Sequence, residues 1–342
     1  MREIGRDLNV RYALEGSVQR SGERMRVNVQ LVDAETGAHL WAERFDKKVA
    51  DLFDMQDEIV SRLANELQAQ LFSLEARRAE QALDPDALDL VLQGTAWVNK
   101  GPTSENLTKA RGFFERALAR DRDNVGALVM IALADFLVAN YLYPDDRSTR
   151  LAAAEVAATR ALSLAPENAL AHLVHGTVVG ALNRPELAIA ECERALAIDR
   201  NLATAHATIG IFKVSLGHAE ETEVHVLEAL RLSPRDSVAS YWLLFVGISK
   251  MLLGRYEEAL EWLRRSIESS RNNPTSHFYL AAALTLLGRD GDARSTARDG
   301  LALNPRFTIA RAEGVLPYQG FAYSAAYLTI LEALRKAGLP ER

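Results

Sequence analysis

The sequence predicts a mainly α-helical chain. About six antiparallel helix pairs stack as a solenoid, a capping helix closes it, and a small, incomplete α+β domain precedes it. Three observations predict this. Small residues recur as Gly176, Gly210, Gly247 and Ala281, at spacings of 34, 37 and 34. Ala161, Ala195, Ala229, Ser266 and Gly300 keep the same step. Pro166, Arg200 and Pro234 repeat at 34, and Pro305 falls 71 further on. Three series in step define a repeat, and repeats of this length are single supersecondary units that bury their apolar faces on one another.

The first 75 residues read differently. Tyr12, Leu14, Gly16 and Val18 alternate with Glu15, Ser17 and Gln19, which is the period of a strand. Ser21-Gly22-Glu23 makes a turn, and Met25, Val27, Val29 and Leu31 alternate again. Glu35-Thr36-Gly37 makes a second turn before a third strand, His39 to Phe45. These runs predict a three-stranded antiparallel meander. Ile4 to Leu8 reads as helix, and Asp51 to Leu74 as an amphipathic helix with Leu52, Phe53, Ile59, Leu63, Leu67 and Leu71 on one face. One helix on three strands is a thin layer, so the expectation is a domain that begins upstream of Met1. Its bare sheet edge predicts self-association.

Within the array, Gly176 and Gly210 in first helices, and Ala188, Ala195 and Ala229 in second helices, let two helices approach closely. Proline after a second helix ends it, because proline cannot donate a hydrogen bond inside a helix. Leu216-Gly217 and Leu287-Gly288 mark turns within pairs. Earlier copies are less regular. Ala110, Phe114 and Ala117 belong to one second helix. Ala154, Ala158, Ala161 and Pro166 belong to the next, after an insertion near Tyr141-Leu142-Tyr143-Pro144.

These positions resemble the tetratricopeptide consensus from about Ala87 to Pro305. The ending Leu331-Glu332-Ala333-Leu334-Arg335-Lys336-Ala337-Gly338-Leu339-Pro340 resembles the closing segment of the bacterial adenylate-cyclase-associated repeat type, with a capping helix near Tyr323 to Lys336. At the other end, Leu14-Glu15-Gly16-Ser17-Val18, Gly37-Ala38-His39-Leu40-Trp41-Ala42-Glu43-Arg44 and Gln56-Asp57-Glu58-Ile59 are similar to the second half of a TolB N-terminal-like domain. The division expected is 1–75 for the partial α+β domain, 76–305 for the array and 306–342 for the cap.

Composition excludes several functions. The net charge of −6 speaks against a nucleic-acid binder, whose affinity rests on clustered basic charge. A single cysteine, Cys192, excludes a disulfide framework. No apolar run reaches the length of a membrane span, and the start lacks a signal-peptide core, so a cytoplasmic location is expected. No nucleotide-binding, zinc-protease or hydrolase motif occurs, and the repeats leave no room for a class III cyclase catalytic domain. We therefore expect no enzyme activity, no catalytic residues, no cofactor and no metal site. His172, His175 and His206 raise the question of a metal. Their repeat position normally holds a packing residue, so they read as core histidines.

The first helices of such arrays line a groove. Its inward positions are expected to be Leu173, Val174, Thr177, Thr208, Ile211, Leu244, Phe245, Ile248, Phe278 and Tyr279. This apolar, aromatic strip suits an apolar or amphipathic protein segment, and some of these side chains are equally expected to pack between repeats. The function expected is a non-catalytic interaction scaffold. The alternative is the C-terminal regulatory part of a class III adenylate or guanylate cyclase-like or winged-helix signalling protein.

Overall fold

The computed structural model describes residues 2–8, 10–48, 84–141, 146–234, 236–313 and 324–342. The chain divides into two compact units, Met1–Glu75 and Ala76–Arg342.

In the first unit, helix α1 spans Arg2–Leu8, followed by strands β1 (Tyr12–Ser21), β2 (Arg24–Asp33) and β3 (His39–Lys48). They form one antiparallel sheet in the order β1-β2-β3. The expected turns are present, with Gly22 at φ 60° and Gly37 at φ 74°, a conformation that costs glycine nothing. The register sets Leu14 opposite Leu31 and Val18 opposite Val27, and Val27 opposite Phe45. Alternation then sends Val29, Leu31 and Phe45 to a buried face. On β1 that row ends in Leu14 and Val18, 48% and 64% exposed. The helix expected at Asp51 to Leu74 lies outside the described residues.

Among its described residues the second unit has six helix pairs. They are α2 (Ala87–Asn99) with α3 (Ser104–Arg120), α4 (Val125–Tyr141) with α5 (Arg147–Leu164), and α6 (Ala169–Ala181) with α7 (Pro185–Ile198). Then come α8 (Ala203–Ser215) with α9 (Thr222–Leu232), α10 (Ala239–Leu252) with α11 (Tyr256–Ser269), and α12 (Pro274–Leu286) with α13 (Asp290–Leu303). We number these repeats 1 to 6. A short α14 (Ile309–Glu313) and the C-terminal α15 (Ser324–Lys336) follow. No strand occurs among the described residues of this unit.

The helices start where the sequence supplies acceptors for free backbone N–H groups. Asp86 forms a capping box with Asp89, and the side chains of Thr103, Asn168 and Asn273 cap α3, α6 and α12. Five of the six pairs turn on a residue with positive φ at one repeat position: Gly101, Asn183, Gly217, Gly254 and Gly288. Repeat 2 has Ala139 there, and its first helix runs on to Tyr141. The recurring small residues sit where helices touch. A Cβ on Gly176 would lie 2.9 Å from the Ala188 carbonyl oxygen, and one on Gly210 would lie 3.1 Å from that of Thr222. Ala161, Ala195 and Ala229 are fully buried on the opposing helices. Ser266 takes the same place in repeat 5, and its hydroxyl is satisfied there, donating to the Ser240 carbonyl at 2.5 Å and lying 2.7 Å from the Ser276 hydroxyl.

Candidate interaction face

Charge is segregated between the two helices of each repeat. The first helices α6, α8, α10 and α12 carry two formal charges between them, Lys213 and Lys250, while the second helices α7, α9, α11 and α13 are densely charged. Both lysines are neutralised. Lys213 pairs with Glu221 at 3.0 Å, and Lys250 with Glu223 at 2.6 Å and Glu258 at 2.9 Å. Burial works against the Lys250 ammonium, yet the two carboxylates hold its pKa above the ordinary value. The first-helix face is thus an apolar wall with no free charge in repeats 3 to 6.

On that wall, Thr177, Ile211 and Phe245 are half-buried. The other seven expected groove residues are buried and offer no surface to an incoming segment. Val174 packs into the core with Leu128, Val129 and Ala132 of repeat 2. Leu173 packs with Ala205 and Ile209 of repeat 4, and Thr208 is also buried. Leu244, Ile248, Phe278 and Tyr279 share one apolar core with Ile330, Leu331, Ala333 and Leu334 of α15. Repeat-to-repeat packing explains the first group. The second group lies in the core that the chain's own C-terminal helix joins by packing on α12 and α10, and Phe278 is also covered against Gly300 of its own repeat and stacked on Phe307.

Sequence reasoning missed several residues of this face. Leu170 stands 40% exposed on α6, and its counterpart in repeat 5 is the partly exposed Tyr241. Tyr241 packs on Tyr141 with ring centroids 4.1 Å apart and the rings tilted by 39°, and Tyr141 also meets Phe136 edge-on. This contact joins the first helix of repeat 2 to that of repeat 5. The insertion that lengthens α4 was the available signal. Asp135 was legible too, as the sole charge in α4. It is 2% exposed and bridges Arg111 and Arg150, tying repeat 1 to repeat 2. Arg147 is half-buried and donates to the Asn140 side chain at 3.1 Å and to the Ala181 carbonyl at 3.3 Å. Burial pushes its pKa down.

The three histidines do not converge on one point. His172 Nδ1 lies 2.7 Å from Glu191 Oε2, and its Nε2 lies 2.8 Å from the Pro166 carbonyl oxygen. Both ring nitrogens of His172 are therefore within hydrogen-bond distance of an oxygen, which fixes the ring inside the repeat. His175 Nδ1 is 3.5 Å from the same Glu191, whose other oxygen accepts from Arg194 at 2.7 Å. Burial alone would raise the Glu191 pKa, but His172 and His175 beside it hold it below the usual value. His206 instead faces the second helix of repeat 4, with burial lowering its pKa and with Glu228 and His225 among its charged neighbours. Among the described residues, His218, Glu220 and Glu221 have metal-ligand spacing, but they are on the surface and Glu221 is held by Lys213. The Cys192 thiol is buried, which pushes its pKa up to about 12 and leaves it an inert packing group. Asp290 opens α13, and Asp292 pairs with Arg289 at 2.9 Å, so the Asp-Gly-Asp run is a helix start.

Stacked helix pairs, small contact residues at repeat spacing and a left-handed turn residue define a helical-repeat solenoid of tetratricopeptide type. Residues 244–273 match the family model of the tetratricopeptide repeat. The chain is 37% identical over 163 residues to the protein named "Putative adenylate cyclase 3" of Rhizobium meliloti (strain 1021), a match covering 46% of this chain and 28% of that protein. Among solved structures, the APC/C hetero-tetramer Cut9-Hcn1 superposes with a TM-score of 0.56 at 17% identity, over 78% of this chain and 45% of that one. The human IFIT1 dimer with PPP-AAAA superposes with a TM-score of 0.55 at 17% identity, over 72% of this chain and 57% of that one. At this identity the structural likenesses establish the fold alone. No described helix is long and apolar enough to cross a membrane.

Proposed function

We propose that this chain is a non-catalytic protein-interaction scaffold that holds an apolar or amphipathic segment of a partner protein on its first-helix face. The observation that carries the reading is the segregation of charge. Lys213 and Lys250 are the two formal charges on the first helices of repeats 3 to 6, and both are paired within the chain. Such a wall has no cation to clamp a carboxylate or phosphate, so nucleic acid and acidic tails are poor ligands. It offers apolar area with Ile211 and Phe245 as anchors, beside Thr177 and Leu170. The compartment we propose is the cytoplasm.

The test begins with a pull-down using the full chain as bait. Phe245→Ala and Ile211→Ala should each weaken the recovered partner by about 1–2 kcal/mol, the range of interface anchors. Moderate salt should change binding little, because few charges are paired across the contact. A partner whose binding collapses in salt yet tolerates both changes would bind a charged outer face and sink this reading.

Regulation of a cyclase-like or winged-helix protein is the less favoured reading, since the resemblance spans 28% of the relative named an adenylate cyclase. For the first unit we keep the reading of a partial TolB N-terminal-like domain. Among the described residues β1 pairs only with β2, and Leu14 and Val18 are exposed on it, so we propose that a second copy pairs here. Sedimentation of a Leu14→Lys, Val18→Lys chain tests this: a dimer that survives the double change rules the contact out.

A further inference from the structure

We propose that the first-helix face of repeats 5 and 6 is a helix-binding site, and that the C-terminal helix α15 is its resident occupant, which an amphipathic helix of a partner must displace. The proposal rests on the scaffold reading above and gives it a place, a ligand geometry and a control.

The position of α15 is the first argument. A helix that simply continued the array would lie against the last second helix, α13. The short α14 begins that course, with Phe307 stacked on Phe278 at 3.9 Å and Ile309 fully buried. Beyond residues 314–323 the chain takes another path, and α15 packs mainly on α12 and α10. These are two consecutive first helices, the elements on which the scaffold reading places a partner.

The chemistry of the contact is the second argument. Ile330, Leu331, Ala333 and Leu334 are buried on the wall while Glu332, Arg335 and Lys336 face outward. Together with Tyr327, which packs against the same core, the anchors follow the i, i+3, i+4, i+7 spacing of a helix laid in an apolar groove. Two backbone hydrogen bonds of this segment run to α14. The Ile309 and Ala310 amides donate to the Pro340 and Glu341 carbonyls at 2.9 and 3.1 Å, and Arg335 pairs with Glu341 inside the tail. Those bonds hold the tail to α14. The side chains of α15 that share a core with α12 and α10 form an apolar surface that another helix with the same spacing reproduces. Tethering gives the resident helix a high local concentration, so a partner's apparent affinity is reduced in proportion to its occupancy.

The probe is a labelled synthetic peptide of residues 322–342, followed by fluorescence anisotropy on the full chain. Leu331→Asp with Leu334→Asp should weaken the resident helix, and the peptide should then bind this variant at least ~10-fold tighter than the unaltered chain. Phe245→Asp added to that variant should weaken the peptide again. A variant with intact helical circular dichroism that fails to bind the peptide overturns the proposal. Should the variant lose its fold, hydrogen exchange on the unaltered chain decides. Amides of residues 324–337 should open at lower denaturant than those of α12, and joint opening in one step would make α15 an inseparable part of the core. Ile211→Ala lies in repeat 4, so it should leave peptide binding unchanged. Failure here with an Ile211 effect on the partner retained would sink this proposal and spare the scaffold reading.

Discussion

Repeat 3 sets His172 against Glu191 in its interior, repeat 4 places His206 and His225 at the same two positions, and repeat 5 fills them with Leu243 and Trp262. The backbone pattern is shared, but the cohesion is not. Repeats 5 and 6 merge with α15 into one large apolar core, whereas the core between repeats 3 and 4 is built from small residues such as Ala188, Ala195 and Ala205 with Ile209 and Phe212. A solenoid's stability is close to a sum of repeat and interface contributions, so these regions should fail under different insults. Large apolar contacts respond to lost volume. Titratable interiors respond to pH.

The largest expected effect falls in the C-terminal region. Leu334 is 1% exposed, and Leu334→Ala should destabilise by about 3 kcal/mol, the middle of the range for buried leucine truncation. Denaturant melts should show it, and hydrogen exchange should show protection lost first in α12 and α10. Protection lost first in α6 or α8 would mean that the two regions are not separable. Next comes Gly176→Leu. Even a Cβ there meets the Ala188 carbonyl at 2.9 Å and Cys192 Sγ at 3.1 Å, so overpacking should cost on the order of 2–3 kcal/mol and open repeat 3 first. An unchanged melting temperature would show that α6 and α7 part without penalty.

Much of this was legible in the sequence, for physical reasons that also explain what was not. Gly176, Ala195 and Pro166 recur because the same two helices must approach and stop at the same place in every unit, and a local rule writes a local period. The meander could be read because Leu14, Val18, Val29 and Leu31 alternate with polar residues. The groove was read less well. Leu244, Phe278 and Tyr279 are apolar at inward positions whether a partner or the chain itself covers them, and the pattern of α15 states that it has an apolar face without stating against what. The ring contact of Tyr141 with Tyr241 joins residues far apart in sequence and leaves no periodic trace. Asp135 and Lys250 were visible as lone charges in apolar helices, but their partners on neighbouring helices were not.

A moderate effect separates repeat 3 from its neighbours. Glu191→Gln removes the buried carboxylate that lies 2.7 Å from His172 Nδ1 and accepts from Arg194 at 2.7 Å. Charged hydrogen bonds of this kind contribute roughly 1.5–3 kcal/mol, so a loss of about 2 kcal/mol is expected in denaturant melts at pH 7. Leu243→Val in repeat 5, a change of volume without charge, should show no comparable pH dependence.

The smallest effect is the pH response itself, and its sign follows from the direction of each shift. Burial lowers the pKa of His206 and of His225, so at those sites the unfolded chain takes up protons more readily than the folded one. Their contribution to stability is therefore complete above the unfolded histidine value of about 6.5 and is lost as pH falls through the lower folded values. Glu191 is also held below its ordinary value, but its window lies lower. Its contribution is present above an unfolded value of about 4.3 and fades only in stronger acid. Repeat 5 has Leu243 and Trp262 at these positions and nothing there to titrate. Lowering the pH from 7 to 5.5 should thus reduce amide protection in α8 and α9, after correction for intrinsic exchange rates, and leave α10 and α11 unchanged. His206→Gln with His225→Gln should flatten the response of repeat 4. If α10 and α11 lose protection in parallel, or the double variant keeps the full response, then the acid-sensitive group lies elsewhere and the contrast between the repeats is one of packing alone.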